Sequence, residues 1–230
     1  MRIAEIFHSV QGEGSLLGTP SSFVRTSGCN LRCSWCDTPY ASWEPEGPEM
    51  SEEDILKEIE THGARHVVLT GGEPMIAAGV HSLAAAIRRS GRHLTIETAG
   101  TVAPDGIACD LASISPKLAN SSPGEKLGEA WRRRHEERRW QPDVVRAWTE
   151  AIPFQLKFVI CDQADLNEVE LMIARLGPLV RPENVFLMPE GIDLETLRRR
   201  AAWLVGICLE RGYRFGHRLQ IELFGHTRGT

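Results

Sequence analysis

His66-Val67-Val68-Leu69-Thr70-Gly71-Gly72-Glu73-Pro74 is a β-rich run that ends in a glycine pair and a proline. Its composition is that of a strand, and the Gly-Gly and Pro close it as a turn. An amphipathic stretch from about His81 to Ser90 follows, stopped at Gly91, and leads into a second β-rich run, His93-Leu94-Thr95-Ile96-Glu97. Strand, helix and strand in that order make a crossover unit with parallel strands.

The same rhythm extends in both directions. Strand candidates are Phe23-Val24-Arg25, Leu111 to Ser115, Gln155 to Ile160, Asn184 to Met188 and Arg218 to Leu223. Helices are predicted from Ser51, which can cap a turn carrying Ile55, Leu56 and Ile59 with Asp54 completing a capping box. Two more are predicted over about Leu166 to Leu176, ended by Gly177, and Leu194 to Arg211, ended by Gly212. The fold class is therefore α/β with a mainly parallel sheet. Too few units are visible for a full eight-unit barrel, so a partial (β/α) barrel is expected.

A chain of 230 residues with 42% hydrophobic and 25% charged residues suits one globular domain, residues 1–230. Its formal net charge of -5 argues against a broad electrostatic grip on nucleic acid or an anionic membrane. Met1 to His8 does not read as a secretory leader, and no apolar run approaches the roughly 18 residues that span a bilayer. A cytoplasmic location is the expectation. One stretch breaks the rhythm, a charged insertion at about 119–150 that includes Trp131-Arg132-Arg133-Arg134 and Arg138-Arg139-Trp140. It reads as a solvated helix or flexible insertion, with a basic partner- or RNA-contacting surface as the alternative.

Three of the six cysteines crowd together in Cys29-Asn30-Leu31-Arg32-Cys33-Ser34-Trp35-Cys36-Asp37-Thr38-Pro39. Clustered cysteines in such a chain point to metal or redox chemistry, whereas Cys161 and Cys208 sit among apolar neighbours as buried free thiols. A closed zinc site needs four ligands, and no nearby Cys or His supplies a fourth. A 4Fe–4S cluster held by three thiolates keeps one iron open for a small molecule, and the spacing favours it over zinc.

C-x3-C-x2-C with an aromatic residue before the last cysteine resembles the signature of the radical S-adenosylmethionine superfamily. Gly71-Gly72-Glu73-Pro74 resembles that superfamily's motif for the amino group of the cofactor, with glycines for close approach and a carboxylate able to accept from an ammonium. Glu5 to Gly14 with its Gln11-Gly12-Glu13-Gly14, Phe23-Val24-Arg25, Cys36-Asp37-Thr38, Glu97-Thr98-Ala99-Gly100-Thr101, Ser113 to Lys117 and Leu223 to Gly229 narrow the match. Together they resemble the 7-carboxy-7-deazaguanine synthase family over nearly the whole chain outside the charged stretch.

The resemblance implies a lyase that contracts the ring of 6-carboxy-5,6,7,8-tetrahydropterin and releases ammonia, in queuosine (deazapurine) biosynthesis and tRNA modification. It implies a 4Fe-4S cluster on Cys29, Cys33 and Cys36, S-adenosyl-L-methionine as a regenerated cofactor, and Mg2+ taking an oxygen from Thr38. Val10, Gln11, Gly12, Arg25 and Thr70 would meet the pterin, with the planar Arg25 fork on its carboxylate. Trp35, Asp37, Gly72, Glu97, Ser115, Pro116 and Lys117 would meet S-adenosylmethionine. A homodimer and a flavodoxin or ferredoxin reductant are implied as partners, without direct nucleic acid or a membrane. Two other classes share the cysteine motif: a glycyl-radical-generating activase, and a non-catalytic metal-binding scaffold.

Overall fold

The structure is a computed structural model that describes residues 1–230, the side chain of Lys126 excepted. Eight strands form one sheet in simple sequence order. They are β1 (Ile3–Val10), β2 (Pro20–Thr26), β3 (His66–Gly71), β4 (His93–Thr98), β5 (Leu111–Ile114), β6 (Phe154–Ile160), β7 (Val185–Pro189) and β8 (Arg214–Phe215). Only β1 runs antiparallel to its neighbour, and β8 does not pair back to β1. The sheet is an open, mainly parallel partial barrel.

The helices are α1 (Pro39–Ser42), α2 (Glu52–His62), α3 (Val80–Arg89), α4 (Glu129–Arg139), α5 (Pro142–Ala151), α6 (Asp165–Leu176), α7 (Leu194–Arg211) and α8 (Leu219–Phe224). The period of two along each strand separates two environments. Val24, Leu69, Ile96, Ile114, Phe158 and Leu187 are buried in the main core together with Ile55, Leu83, Val145, Val169 and Leu204 of the helices. The alternate positions Arg25, Thr70, Glu97 and Lys157 face the cavity on the sheet's other side. Burial of the helix-covered face supplies the main driving force, at about 25 cal/mol per Å² of apolar surface.

The elements coincide with the local sequence signals except at four places. Ser51 Oγ accepts from the Asp54 N–H at 3.1 Å, but the Asp54 carboxylate takes the Ser51 hydroxyl rather than completing a capping box through the backbone. Strand β1, absent from the predicted strands, overlaps the Glu5–Gly14 motif, whose glycine-rich end masks the alternation before it. The run Arg218–Leu223 is helix, not strand: only Ile221 of α8 is buried, and the chain here turns over the barrel mouth, with Leu219 N–H donating to Gly12 O at 2.9 Å.

The fourth departure concerns 119–150, which holds two helices, α4 and α5, and is not a single insertion. Helix α5 is the crossover between β5 and β6, with Val145 and Trp148 fully buried and the Trp148 indole donating to Val102 O at 2.8 Å. Only the segment through α4 is added to the repeating unit, and it is anchored by a fully buried His135. Charge density in the sequence reported the outer face of α4 and hid the inner one.

Candidate functional site

The strand ends β1 to β7 open onto a cavity of about 420 Å³ that is capped by the cysteine loop, α8 and the chain's last residues. The candidate residues read from the sequence line it except Glu73 and Pro116, the latter lying between the lining residues Ser115 and Lys117.

Cys29, Cys33 and Cys36 are free thiols that share a small apolar cluster with Leu31, Trp35 and Ala99. Burial pushes the Cys29 and Cys33 thiols up to about 12. The Cys36 sulfur lies 3.0 Å from Ser42 Oγ and 3.9 Å from Thr38 Oγ1. The remaining cysteines are elsewhere: Cys208 in the main core, Cys109 against the Leu94 and Leu111 carbonyls, and Cys161 only half-buried. Among the described residues no three His, Cys, Asp or Glu side chains, the three cysteines included, converge tightly enough to hold a single metal ion. Three thiols without a fourth Cys or His, bordering a cavity, are a donor set that can hold an iron–sulfur cluster by three corners.

Two supports hold this loop. From behind, Gly72 packs so closely that an added Cβ would stand 2.3 Å from Gly28 O, 2.7 Å from Ala41 O and 2.7 Å from Cys29 Cβ. From the side, Arg32 N–H donates to His135 Nδ1 at 3.1 Å, and Trp35 Nε1 donates to Asn120 Oδ1 at 3.1 Å. Lys117 Nζ lies 5.6 Å from the centre of the Trp35 ring and donates to Ser115 Oγ at 2.8 Å. Burial of His135 depresses its pKa to about 4.

Glu73 does not offer its carboxylate to the cavity. It is fully buried and accepts from Met75 N–H (3.1 Å), Ala99 N–H (2.8 Å) and Thr98 Oγ1 (2.9 Å). The expectation that it accepts from a cofactor ammonium is corrected: with these donors it clamps the turn after β3 to the end of β4. Burial raises its pKa despite them.

Opposite the cysteines stands a network of charges. Lys157, 3% exposed, lies 2.9 Å from Glu13 and 2.5 Å from Glu97, and Glu97 also accepts from Gln11 Nε2 at 3.3 Å. Arg218 pairs with Glu13 at 3.3 Å and with Asp37, and donates to Gly191 O at 2.7 Å. Burial would raise the Glu13 carboxyl, but Lys157 and Arg218 reverse this and hold it at about 2. The two carboxylates likewise keep the buried Lys157 charged, outweighing its desolvation.

A second group surrounds Arg25, whose Nε pairs with Glu5 at 2.6 Å. Glu5 also accepts from Tyr40 OH at 2.7 Å and lies 3.4 Å from Arg228 Nε. The tail is latched here: the Arg228 guanidinium stacks 4.1 Å from the Tyr40 ring, and His226 Nε2 is 2.9 Å from Asp37 O. Arg228 also pairs with Glu46 at 2.9 Å, so Arg25 shares Glu5 with a cation that has a second partner, and the planar Arg25 fork borders the cavity. Lys157 and Arg218 carry no role in the sequence reading, and Glu13 and the tail enter it only as parts of matching motifs. A lone lysine within the apolar alternation of β6 was the available signal, whereas Arg218 was concealed by its apparent strand.

A family model described as the Radical SAM superfamily matches residues 23–121, from β2 through the cysteine loop to the segment beside it. The chain is 47% identical to the 7-carboxy-7-deazaguanine synthase of Rhodopirellula baltica, covering 99% of this chain and 88% of that protein. It is 43% identical to the enzyme of the same name from Halobacterium salinarum, covering 99% and 92%. The crystal structure of QueE from Escherichia coli superposes with a TM-score of 0.69 at 26% identity, over 94% of this chain and 92% of that one. Similarity of this extent spans the barrel, the cysteine loop and the tail alike, and it places the chain in the 7-carboxy-7-deazaguanine synthase family of radical S-adenosylmethionine enzymes.

Proposed function

We propose that this enzyme is a lyase that converts 6-carboxy-5,6,7,8-tetrahydropterin to 7-carboxy-7-deazaguanine, contracting the ring and releasing ammonia on the route to queuosine and related deazapurines. The observation that carries the reading is one cavity shared by three free thiols and by Arg25, Gln11 and Glu97, in a chain so similar to synthases of that name. Bound there, a 4Fe-4S cluster and S-adenosylmethionine supply a hydrogen-abstracting carbon radical.

In this reading Cys29, Cys33 and Cys36 hold the cluster. Buried thiols of such high pKa ionise only as metal binds, so loading releases protons. Gly72, Trp35, Asp37, Ser115 and Lys117 form the wall for S-adenosylmethionine. Arg25 receives the pterin carboxylate through its planar fork, with Thr70 beside it. Val10, Gln11 and Gly12 meet the pterin edge. Glu97, expected against S-adenosylmethionine, shares hydrogen bonds with Gln11 and Lys157, and this reading moves it to the pterin side, where acceptors meet ring N–H groups. Thr38 supplies one oxygen to Mg2+, which takes its other ligands from substrate and water. The chain works as one domain and as a homodimer. No helix among the described residues is long and apolar enough to cross a membrane.

The test is anaerobic turnover by reconstituted, reduced protein with carboxytetrahydropterin, S-adenosylmethionine and Mg2+, followed by mass spectrometry. Deazaguanine product with S-adenosylmethionine regenerated is expected, and Cys33→Ala should lose cluster and turnover together. A loaded cluster that yields no product would sink the assignment. Stoichiometric consumption of S-adenosylmethionine would favour an activase instead.

A further inference from the structure

Helix α4 carries five arginines against three glutamates, in a chain whose net charge is -5. Its inner face is committed: His135 binds the cysteine loop, and Arg139 pairs with Glu136 and Glu168, each at 2.6 Å. Arg133 has a loose partner in Glu137 at 3.8 Å. Among the described residues Arg134 and Arg138, one turn apart on the flank of Trp131, have no carboxylate within ion-pair distance.

Trp131 gathers charge as well. Its ring lies 4.2 Å from the Arg32 guanidinium and 5.5 Å from that of Arg134. Arg32 in turn donates to the carbonyls of Cys29 (2.8 Å) and Leu31 (2.7 Å), so its charge is fixed on the cysteine loop itself. Two like charges held on one ring repel, and the ring's quadrupole offsets this only in part. An anionic surface laid over them would relieve the repulsion.

We propose that the strip Arg32–Trp131–Arg134–Arg138 is the docking surface for an acidic one-electron carrier protein, a flavodoxin or ferredoxin. The inference rests on the radical-enzyme reading, which requires one electron from outside. The carrier is oxidised by one electron and the cluster is reduced by one, across the segment from Cys29 to Cys33. Complementary charge chiefly speeds encounter and sets orientation, so the contact should be sensitive to salt.

The experiment compares Arg134→Glu/Arg138→Glu holoenzyme with wild type. Binding of oxidised flavodoxin, followed by flavin anisotropy, should weaken about tenfold or more at low salt, and its salt dependence should flatten. Turnover supported by limiting reduced flavodoxin should fall by a similar factor, while cluster content and dithionite-driven turnover stay unchanged. The milder pair Arg134→Gln/Arg138→Gln should give a smaller loss in the same two measurements, and covers misfolding of the reversal. Unchanged flavodoxin binding and turnover in both variants would overturn the proposal. Loss of tRNA binding with flavodoxin binding intact would also overturn it, making the strip an RNA surface. Failure of dithionite-driven turnover in loaded wild type would refute the reaction instead, with flavodoxin binding still deciding the surface.

Discussion

The backbone N–H of Arg32 donates to Nδ1 of His135, 103 residues later in the chain, over 3.1 Å. The polarity of the bonds around it is determined. Ser121 Oγ donates to Leu118 O at 2.6 Å, so it must accept from His135 Nε2, 2.9 Å away. His135 therefore accepts at one nitrogen and donates at the other, which only the neutral ring can do.

Acid should loosen this joint. The buried ring has its pKa lowered from 6.5 to about 4, so below pH 6.5 the unfolded chain binds more protons than the folded one. Its contribution is fully present above pH 6.5 and is lost as pH falls through about 4. Upper-bound linkage gives roughly 3 kcal/mol across that window. Denaturant unfolding from pH 7 to pH 4 should show the slope in wild type. His135→Asn, which keeps an acceptor for Arg32 but cannot titrate, should remove that part of it; an unchanged slope would refute the assignment.

Lys157 is a deeply buried cation of the cavity, 3% exposed and held by two carboxylates. Replacing it by Met leaves Glu97 with Gln11 alone, while Glu13 keeps Arg218. Breaking such a buried pair costs about 3–5 kcal/mol. Glu97→Gln in the same chain should restore a good part of that loss, because the uncompensated carboxylate is then gone. A double-mutant cycle in urea measures the coupling, and additive losses would show that Lys157 and Glu97 act independently.

Legibility in the sequence followed the range of the forces involved. Strands β3, β4 and β6 and helices α2, α6 and α7 could be read because period and caps are local. The cysteine loop was legible for the same reason: its chemistry is written within eight residues. The pairing of Lys157 with Glu13 and Glu97 was not, since it joins β6, β4 and the turn after β1 across 144 and 60 residues. Strand β8 has two residues, too few to show any alternation. In α8 the alternating pattern favoured a strand, and closure of the chain over Gly12 overrode it. Gly71-Gly72-Glu73-Pro74 was found correctly as a motif, yet only packing shows that Glu73 points inward.

That inward clamp separates stability from cofactor binding. Thr98 Oγ1 donates to both Glu73 oxygens, at 2.9 and 3.0 Å, and accepts from Gly100 N–H at 3.0 Å. Thr98→Val removes these bonds while nearly preserving shape, and should destabilise the fold by about 1–3 kcal/mol. Affinity for S-adenosylmethionine in the folded, loaded variant should not change. A raised KM for S-adenosylmethionine at unaltered thermal stability would mean that the carboxylate serves the cofactor after all.

Two glycines give opposite expectations for the same substitution. At Gly72 an added methyl meets backbone oxygens of Gly28 and Ala41 that are themselves bonded, Gly28 O to Glu73 N–H at 2.9 Å and Ala41 O to Gly28 N–H at 2.7 Å. Neither can retreat without breaking the turn that backs Cys29, so Gly72→Ala should cost at least about 1–3 kcal/mol and release iron faster to a chelator. Gly206, exposed within α7, has nothing within 4 Å of the built Cβ. There the methyl only lowers the entropy lost on folding, and Gly206→Ala should stabilise by about 0.5–1 kcal/mol with iron retention unchanged. Because both variants add one methyl group, a difference in iron loss between them isolates the packing at Gly72; equal retention would show that the turn does not support the cysteine loop.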